Sequence, residues 1–280
     1  MTKLTDTYTL ANGVKIPQVG FGTWQIPDGP IAYKAVADAL AAGYRHIDTA
    51  WQYKNEASVG KAVRDSGIAR DELFITSKLP AHAKSYEAAK TAIEESMANL
   101  GLDQLDLYLI HAPWPWSDLG GDYREANREV WRAMEEFYQS GRVKAIGISN
   151  FNARDQKDLY AHATIQPMVL QLQYYIGFTE AENVQAAQDN GMLVEAFSPL
   201  ATGFLLNNPD VQKVAAAHGV SVAQVAIKYV LQHGLLPLPK ATAPQHISQN
   251  AQLEFELTPA EMAFLDTLKD TAPGEDDNLY

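Results

Sequence analysis

Short apolar runs, rich in β-branched and aromatic side chains, alternate along this chain with longer stretches of helical period. The runs predict strands at 18–22, 44–48, 72–78, 105–111, 143–149, 169–173, 192–197 and 235–238. The stretches between them predict helices at 31–42, 56–66, 85–100, 124–140, 153–163, 180–190 and 244–253. Gly43, Gly67, Gly101, Gly141 and Gly191 stand where C-cap glycines belong. Ahead of the first run, 8–11 and 14–16 flank Asn12-Gly13, a pair suited to a two-residue type I′ hairpin turn.

Strand–helix units repeated eight times, with no second hydrophobic block left over, predict one (β/α)8 TIM barrel of the α/β class over residues 1–280. Two helices are expected in 208–234, so the seventh crossover carries an insertion. Another is expected at 259–268 after the eighth unit, ahead of an acidic tail at 271–280. A doubly wound open sheet is the other parallel architecture, and it brings a glycine fingerprint after its first strand. Here Gly20-Phe21-Gly22 runs on into Thr23-Trp24-Gln25, so the third glycine of that fingerprint is missing.

Composition then acts by exclusion. The chain has no cysteine, which removes disulfides, thiolate zinc sites, iron–sulfur clusters and a cysteine nucleophile together. Its 22 Lys and Arg stand against 34 Asp and Glu, a formal net charge of −12. That balance argues against nucleic acid or an anionic membrane as partner. The first ten residues lack the apolar core of a signal peptide, and no run approaches ~18 consecutive apolar residues. The expectation is a soluble, cytoplasmic, monomeric protein acting on a small molecule.

In a barrel, chemistry gathers at the C-terminal strand ends. Asp48, Lys78, His111, Ser149 with Asn150, Gln171 and Lys240 end or follow six different strands. A charged group ending a buried strand costs desolvation unless it has a partner or a task. Asp48 and Lys78 alone read as a salt bridge closing the barrel mouth. Tyr53, in the loop after Asp48, alters that reading. A phenol has a reference pKa of ~10, and a nearby ammonium is expected to lower it. With His111 placed to bond a substrate oxygen, the set suits protonation of an oxygen on which negative charge builds. Carbonyl reduction asks that of a protein while a cofactor brings the hydride.

The same residues carry a resemblance. Asp48-Thr49-Ala50-Trp51-Gln52-Tyr53-Lys54-Asn55-Glu56, followed by Val59-Gly60-Lys61-Ala62, resembles the first signature of the aldo-keto reductase family. Leu105-Asp106-Leu107-Tyr108-Leu109-Ile110-His111 with Pro113 resembles the second, and Leu238-Pro239-Lys240 the core of the third. Gly20-Phe21-Gly22-Thr23-Trp24 is similar to the family's opening strand, and Gly147-Ile148-Ser149-Asn150-Phe151 to its fifth. The likeness runs over about residues 8–250 and is greatest to the bacterial diketogluconate-reductase-like branch.

That resemblance implies a catalytic tetrad of Asp48, Tyr53, Lys78 and His111. In it Tyr53 is the general acid, Lys78 held by Asp48 depresses its pKa, and His111 orients the carbonyl. It implies NADPH, with the carboxamide bonded by Ser149, Asn150 and Gln171. The nicotinamide ring would stack on Phe197, where many members carry Tyr. Gly22, Thr23, Trp24, Asp48, Ser198 and Leu200 would line the rest of the groove. The third signature departs from the family pattern: Lys240-Ala241-Thr242 is followed by His246, where NADPH-preferring members commonly have Arg, then by Gln249-Asn250. Arginine grips a phosphate through a charged planar fork, whereas His is largely neutral at pH 7. Losing that bond should cost about 1.5–3 kcal/mol of selectivity for the 2′-phosphate. NADPH is the expected cofactor, with discrimination weak enough to leave NADH usable.

Trp24, Trp51, Trp114 and Trp116 fall on loops expected to wall a substrate pocket around Tyr53 and His111, although rim packing would also put tryptophans there. Ala112 follows the His where many relatives have Trp, and the segment after Leu268 is short. Both imply a wide, shallow pocket for aldehydes, α-ketocarbonyls or ketones. Two other classes stay in view. His46 and Asp48 at i and i+2, with His111, offer ligands for a metal-dependent barrel hydrolase or isomerase, but no further Asp, Glu or His pair ends a neighbouring strand. No metal is therefore expected. A non-catalytic nicotinamide-binding protein of the same fold would be marked by a missing tetrad member, and none is missing.

Overall fold

A computed structural model describes residues 3–272, so most of the acidic tail at 271–280 lies outside the described residues. Strands β1 (Thr7–Thr9) and β2 (Lys15–Pro17) form the N-terminal hairpin, with Thr9 opposite Lys15. The turn is not the expected two-residue type I′. Leu10 N–H bonds Val14 O at 2.9 Å and Gly13 N–H bonds Leu10 O at 2.8 Å, which leaves a loop of Ala11, Asn12 and Gly13. Gly13 has φ +88°, while Asn12 is not among the residues of positive φ that a type I′ turn requires. A type I turn closed by a left-handed glycine fits these bonds. Leu10 and Ile16 pack with Leu107, Val169 and Leu236 at the starts of barrel strands, so the hairpin plugs the N-terminal end.

Eight parallel strands follow in sequential order: β3 (Gly20–Gly22), β4 (His46–Asp48), β5 (Phe74–Leu79), β6 (Leu107–Ile110), β7 (Ile146–Ser149), β8 (Val169–Gln173), β9 (Leu193–Phe197) and β10 (Leu236–Leu238). Gly22 N–H reaches Pro239 O at 3.0 Å, which brings the last strand beside the first and nearly closes the barrel. The seam requires glycine: a Cβ on Gly20 would fall 2.5 Å from the Leu238 side chain and 2.6 Å from the His46 ring. The run expected at 72–78 begins pairing only at Phe74, because Arg70–Glu72 winds into a 3-10 turn.

The outer ring holds α1 (Pro30–Ala41), α2 (Glu56–Asp65), α3 (Tyr86–Leu100), α4 (Arg124–Gln139), α5 (Ala153–His162) and α6 (Ala181–Asp189). After them come α7 (Pro209–His218) and α8 (Val222–Gln232) in the seventh crossover, then α9 (Pro244–Asn250) and α10 (Pro259–Thr267). In α4 the buried residues Val130, Trp131, Ala133, Met134 and Phe137 recur at helical spacing and form the stripe that meets the sheet. Local chemistry sets the ends. Ser85 caps α3 by accepting from Ala88 N–H, Gly101 closes it at φ +62°, and Ser221 with Gln224 forms a capping box on α8. No single helix among the described residues is long and apolar enough to cross a membrane.

Candidate active site

Side chains alternate along a strand, so Asp48 and His46 of β4, Lys78 and Thr76 of β5, Gln171 of β8, and Glu195 and Phe197 of β9 turn to the barrel axis. Lys78 Nζ lies 2.6 Å from Asp48 Oδ1, 3.0 Å from Thr49 O and 3.2 Å from the Tyr53 hydroxyl. Tyr53 sits on a 3-10 turn, Trp51–Tyr53, just past β4. That turn is held by Asn55, which accepts from Thr49 Oγ1 at 2.8 Å and donates to Thr23 O and Ile26 O at 3.0 Å each. Thr23 in turn donates through Oγ1 to the backbone carbonyl of Asp48 at 2.9 Å, so it braces the end of β4 rather than facing a ligand.

Electrostatics decides which protons are in place. Burial works against the Lys78 charge, but Asp48 and Tyr53 outweigh it and hold its pKa above the ordinary lysine value. For Tyr53 the expected lowering does not prevail: burial pushes the phenol up and Asp48 adds to that, against the opposing pull of Lys78. Tyr53 is therefore a fully protonated donor at neutral pH. Burial, with the Lys78 and Lys84 charges, drives His111 well below the ordinary histidine range, so it is neutral. The Tyr53 and His111 rings meet edge-on at 5.6 Å, and Trp116 meets the other side of His111 at 5.5 Å.

Beneath this group lies a feature absent from the sequence expectations. Gln171 Nε2 donates to Asp48 Oδ2 at 3.0 Å and to Glu195 Oε2 at 2.8 Å. With both amide hydrogens committed to carboxylates, Gln171 has only an acceptor to offer a ligand. Glu195 is fully buried, and burial with the Asp48 charge pushes its carboxyl up to about 8. His46 bonds Thr76 Oγ1 at 2.9 Å and is driven by burial, then by Lys78, down to about 3. The signal for Glu195 was present: it stands two residues before Phe197 on one strand and so shares its inward face. Among the described residues, no group of three or more His, Asp or Glu side chains converges as a metal site would require.

A cavity of about 960 Å³ opens over these residues, at the upper end of the range typical of small-molecule sites. Asp48, Tyr53 and His111 line it together with Trp24 and Trp116. Gly22, Ser149, Asn150, Gln171, Phe197, Ser198 and Leu200 line it as well. So do Lys240, Thr242, His246, Gln249 and Asn250. Lys78 stands behind the lining and acts through Asp48 and Tyr53. Two expected substrate residues are not brought to the cavity. Trp51 donates its Nε1–H to Glu95 Oε2 at 2.9 Å and packs on His82 at 5.5 Å. Trp114 is buried with Ala81 and Ala112, underneath Trp116. Gln25, Gln52 and Leu206 line the cavity and were not anticipated.

Barrel and cavity together define the class, a (β/α)8 protein with its cavity at the C-terminal mouth. A family model described as the aldo/keto reductase family matches residues 18–270, and the chain belongs to that family. It is 42% identical over 274 residues to the oxidoreductase YtbE of Bacillus subtilis (strain 168), covering 96% of this chain and 95% of that protein. To the glyoxal reductase of the same organism it is 41% identical over 283 residues, covering 100% and 99%. A crystal structure of a Bombyx mori aldo-keto reductase in complex with NADP aligns with a TM-score of 0.87 at 32% identity, over 98% of this chain and 95% of that one. These relatives support the family, and with it carbonyl reduction, rather than the diketogluconate-reductase-like branch in particular.

Proposed function

We propose that this protein reduces small aldehydes and α-dicarbonyls to alcohols with NADPH, using Tyr53 as the proton donor. The observation that carries the reading is the line Tyr53 hydroxyl, Lys78 ammonium, Asp48 carboxylate at 3.2 and 2.6 Å, with Tyr53 and Asp48 facing the cavity and Lys78 behind them. The donor set fits a nicotinamide cofactor. Gln171 presents an acceptor suited to a carboxamide N–H, Phe197 presents an aromatic face, and Lys240 is a cation for an anionic group. When bound, such a cofactor supplies the hydride.

The chain's own residues manage the oxygen. As negative charge grows on the carbonyl oxygen, Tyr53 gives up its proton, and the adjacent ammonium stabilises the phenolate left behind. Burial makes that donation unfavourable in the resting site, and Lys78 acts where the charge appears. Asp48 keeps Lys78 charged and aimed. His111 has its Nδ1 buried without a partner, so Nε2 is the ring nitrogen available to orient the substrate oxygen. Ser149, Asn150, Lys240, Thr242, His246, Gln249 and Asn250 are assigned to the cofactor, and Trp24, Tyr53, His111 and Trp116 to the substrate. The similarity to a glyoxal reductase supports dicarbonyls as the substrate class.

With His246 in place of an arginine, both NADPH and NADH are expected to serve, NADPH better. Parallel assays of aldehydes, dicarbonyls and keto-sugars with each cofactor, followed by nicotinamide absorbance, test the reading. Turnover of small dicarbonyls is the expected result. No turnover of any carbonyl with either cofactor contradicts it.

A further inference from the structure

At the end of β6, three consecutive carbonyls are each held by a side chain from a different element. Asn150, past β7, donates Nδ2 to His111 O at 2.8 Å. Lys84, in the loop after β5, donates Nζ to Ala112 O at 2.8 Å. Asn127 of α4 donates Nδ2 to Pro113 O at 2.8 Å. Lys84 also reaches Asn127 Oδ1 at 2.9 Å, which ties two of the three clamps together. The clamped peptide leads directly from His111 to Trp114, whose ring supports Trp116 at 5.3 Å.

We propose that Lys84 is a positioning residue for carbonyl reduction: its ammonium fixes the peptide after His111 and so sets the His111 ring and the Trp116 wall that face the substrate. The inference rests on the function proposed above. Three donors of one polarity on three successive carbonyls over-determine that backbone, and a bare loop would leave those oxygens to water. Lys84 is the one charged member. A half-buried ammonium is costly, so an uncharged amide or hydroxyl would be the ordinary choice for such a bond.

The charge has a second effect. Lys84 and Lys78 both disfavour protonation of His111, Lys78 from β5 and Lys84 from the loop that follows it, while Tyr53 faces the ring without adding charge at neutral pH. Facing Lys84 itself are Asn127 of α4 and Asp155 of α5, and of these only Asp155 is titratable. Burial brings the Lys84 ammonium down to about 7, against the opposing pull of Asp155. Below about pH 7, where it is charged, Lys84 adds to burial and Lys78 in keeping the orienting histidine neutral. Neither hydrogen bond of Lys84 goes to a residue assigned to the cofactor.

The test compares the wild type with Lys84→Met and Lys84→Arg as full chains, using NADPH and phenylglyoxal. Three readouts are taken: kcat and KM, NADPH affinity by quenching of protein fluorescence, and the NMR titration of His111. The methionine variant is expected to bind NADPH within about twofold of the wild type and to lose about tenfold or more in kcat/KM, the scale of a slightly misplaced catalytic group. Its His111 is expected to titrate at a higher pH than in the wild type. The arginine variant, which keeps a charge and two donors, is expected to recover most of both.

Wild-type kcat/KM in the methionine variant, or an unmoved His111 titration, overturns the proposal. Equal damage in both variants also overturns it. If the methionine variant does not fold, Lys84→Gln keeps a donor and removes the charge, and an unmoved His111 titration there is decisive against it. An inactive wild type would overturn the carbonyl-reduction reading instead, which the His111 titration and cofactor affinity do not depend on.

Discussion

Gln171 donates its amide to the Asp48 carboxylate at 3.0 Å across the barrel interior, linking β8 to β4. The same nitrogen reaches Glu195, so one neutral side chain separates two carboxylates and fixes the direction in which its own carbonyl points. The carboxylate that aims Lys78 is in this way anchored from the far wall of the barrel. The proposed cofactor contact and the proposed acid therefore share one frame.

Glu195 makes that frame sensitive to pH. Its carboxyl is raised from an ordinary 4.5 to about 8, chiefly by burial, so the fold favours the protonated form. The stability this contributes is fully present below pH 4.5 and is lost as pH rises through about 8. Glu195→Gln cannot ionise. Its Tm relative to the wild type should climb steadily between pH 5 and 8, as measured by thermal melts in matched buffers. A constant difference across that window would show that Glu195 does not change protonation state between the folded and unfolded chains.

His246 is expected to govern the choice between cofactors. It is exposed and lines the same cavity as Lys240, the cation proposed for an anionic group of the cofactor. Replacing it with arginine should add one charge-assisted bond, about 1.5–3 kcal/mol, and so raise the NADPH-to-NADH ratio of kcat/KM by roughly tenfold to a hundredfold. Exposure to salt places the outcome toward the lower end. The ratio measured at two ionic strengths checks it, and an unchanged ratio would remove His246 from the phosphate site.

Gly60 sets two effects against each other. In the interior of α2, alanine would be favoured over glycine by about 0.8–1 kcal/mol of helix propensity. Yet a Cβ there would press into the backbone carbonyl of Leu100 at the end of α3, which Arg64 also contacts. Overpacking against backbone costs about 1–3 kcal/mol, so Gly60→Ala should lower Tm despite the better propensity. Calorimetry showing a stabilised variant would mean that α2 and α3 separate more easily than their contact implies.

Much of this architecture was legible because most barrel strands are short apolar runs with a polar residue at or just past their ends. Asp48, Lys78, His111, Ser149 and Gln171 stood out at those ends, and the structure gathers them at one mouth. What escaped depends on partners far along the chain. Asn12-Gly13 suits two kinds of hairpin loop, and the choice rests on the Leu10–Val14 bond. The direction of Trp51 is set by Glu95 on α3, and that of Trp114 by the alanines packed beneath Trp116. The upward shift of Tyr53 is a matter of degree: Lys78 pulls as expected, and burial pulls harder.

Tyr53→Phe tests the central claim most directly, because it removes one hydroxyl and leaves the ring and the Lys78–Asp48 pair in place. Single-turnover oxidation of bound NADPH by a dicarbonyl, measured beside cofactor affinity, separates binding from proton donation. The account predicts unchanged NADPH affinity and a rate lower by about 10²–10⁴-fold, the usual contribution of a general acid. A phenylalanine variant that binds NADPH normally and reduces the dicarbonyl at the wild-type rate would contradict it.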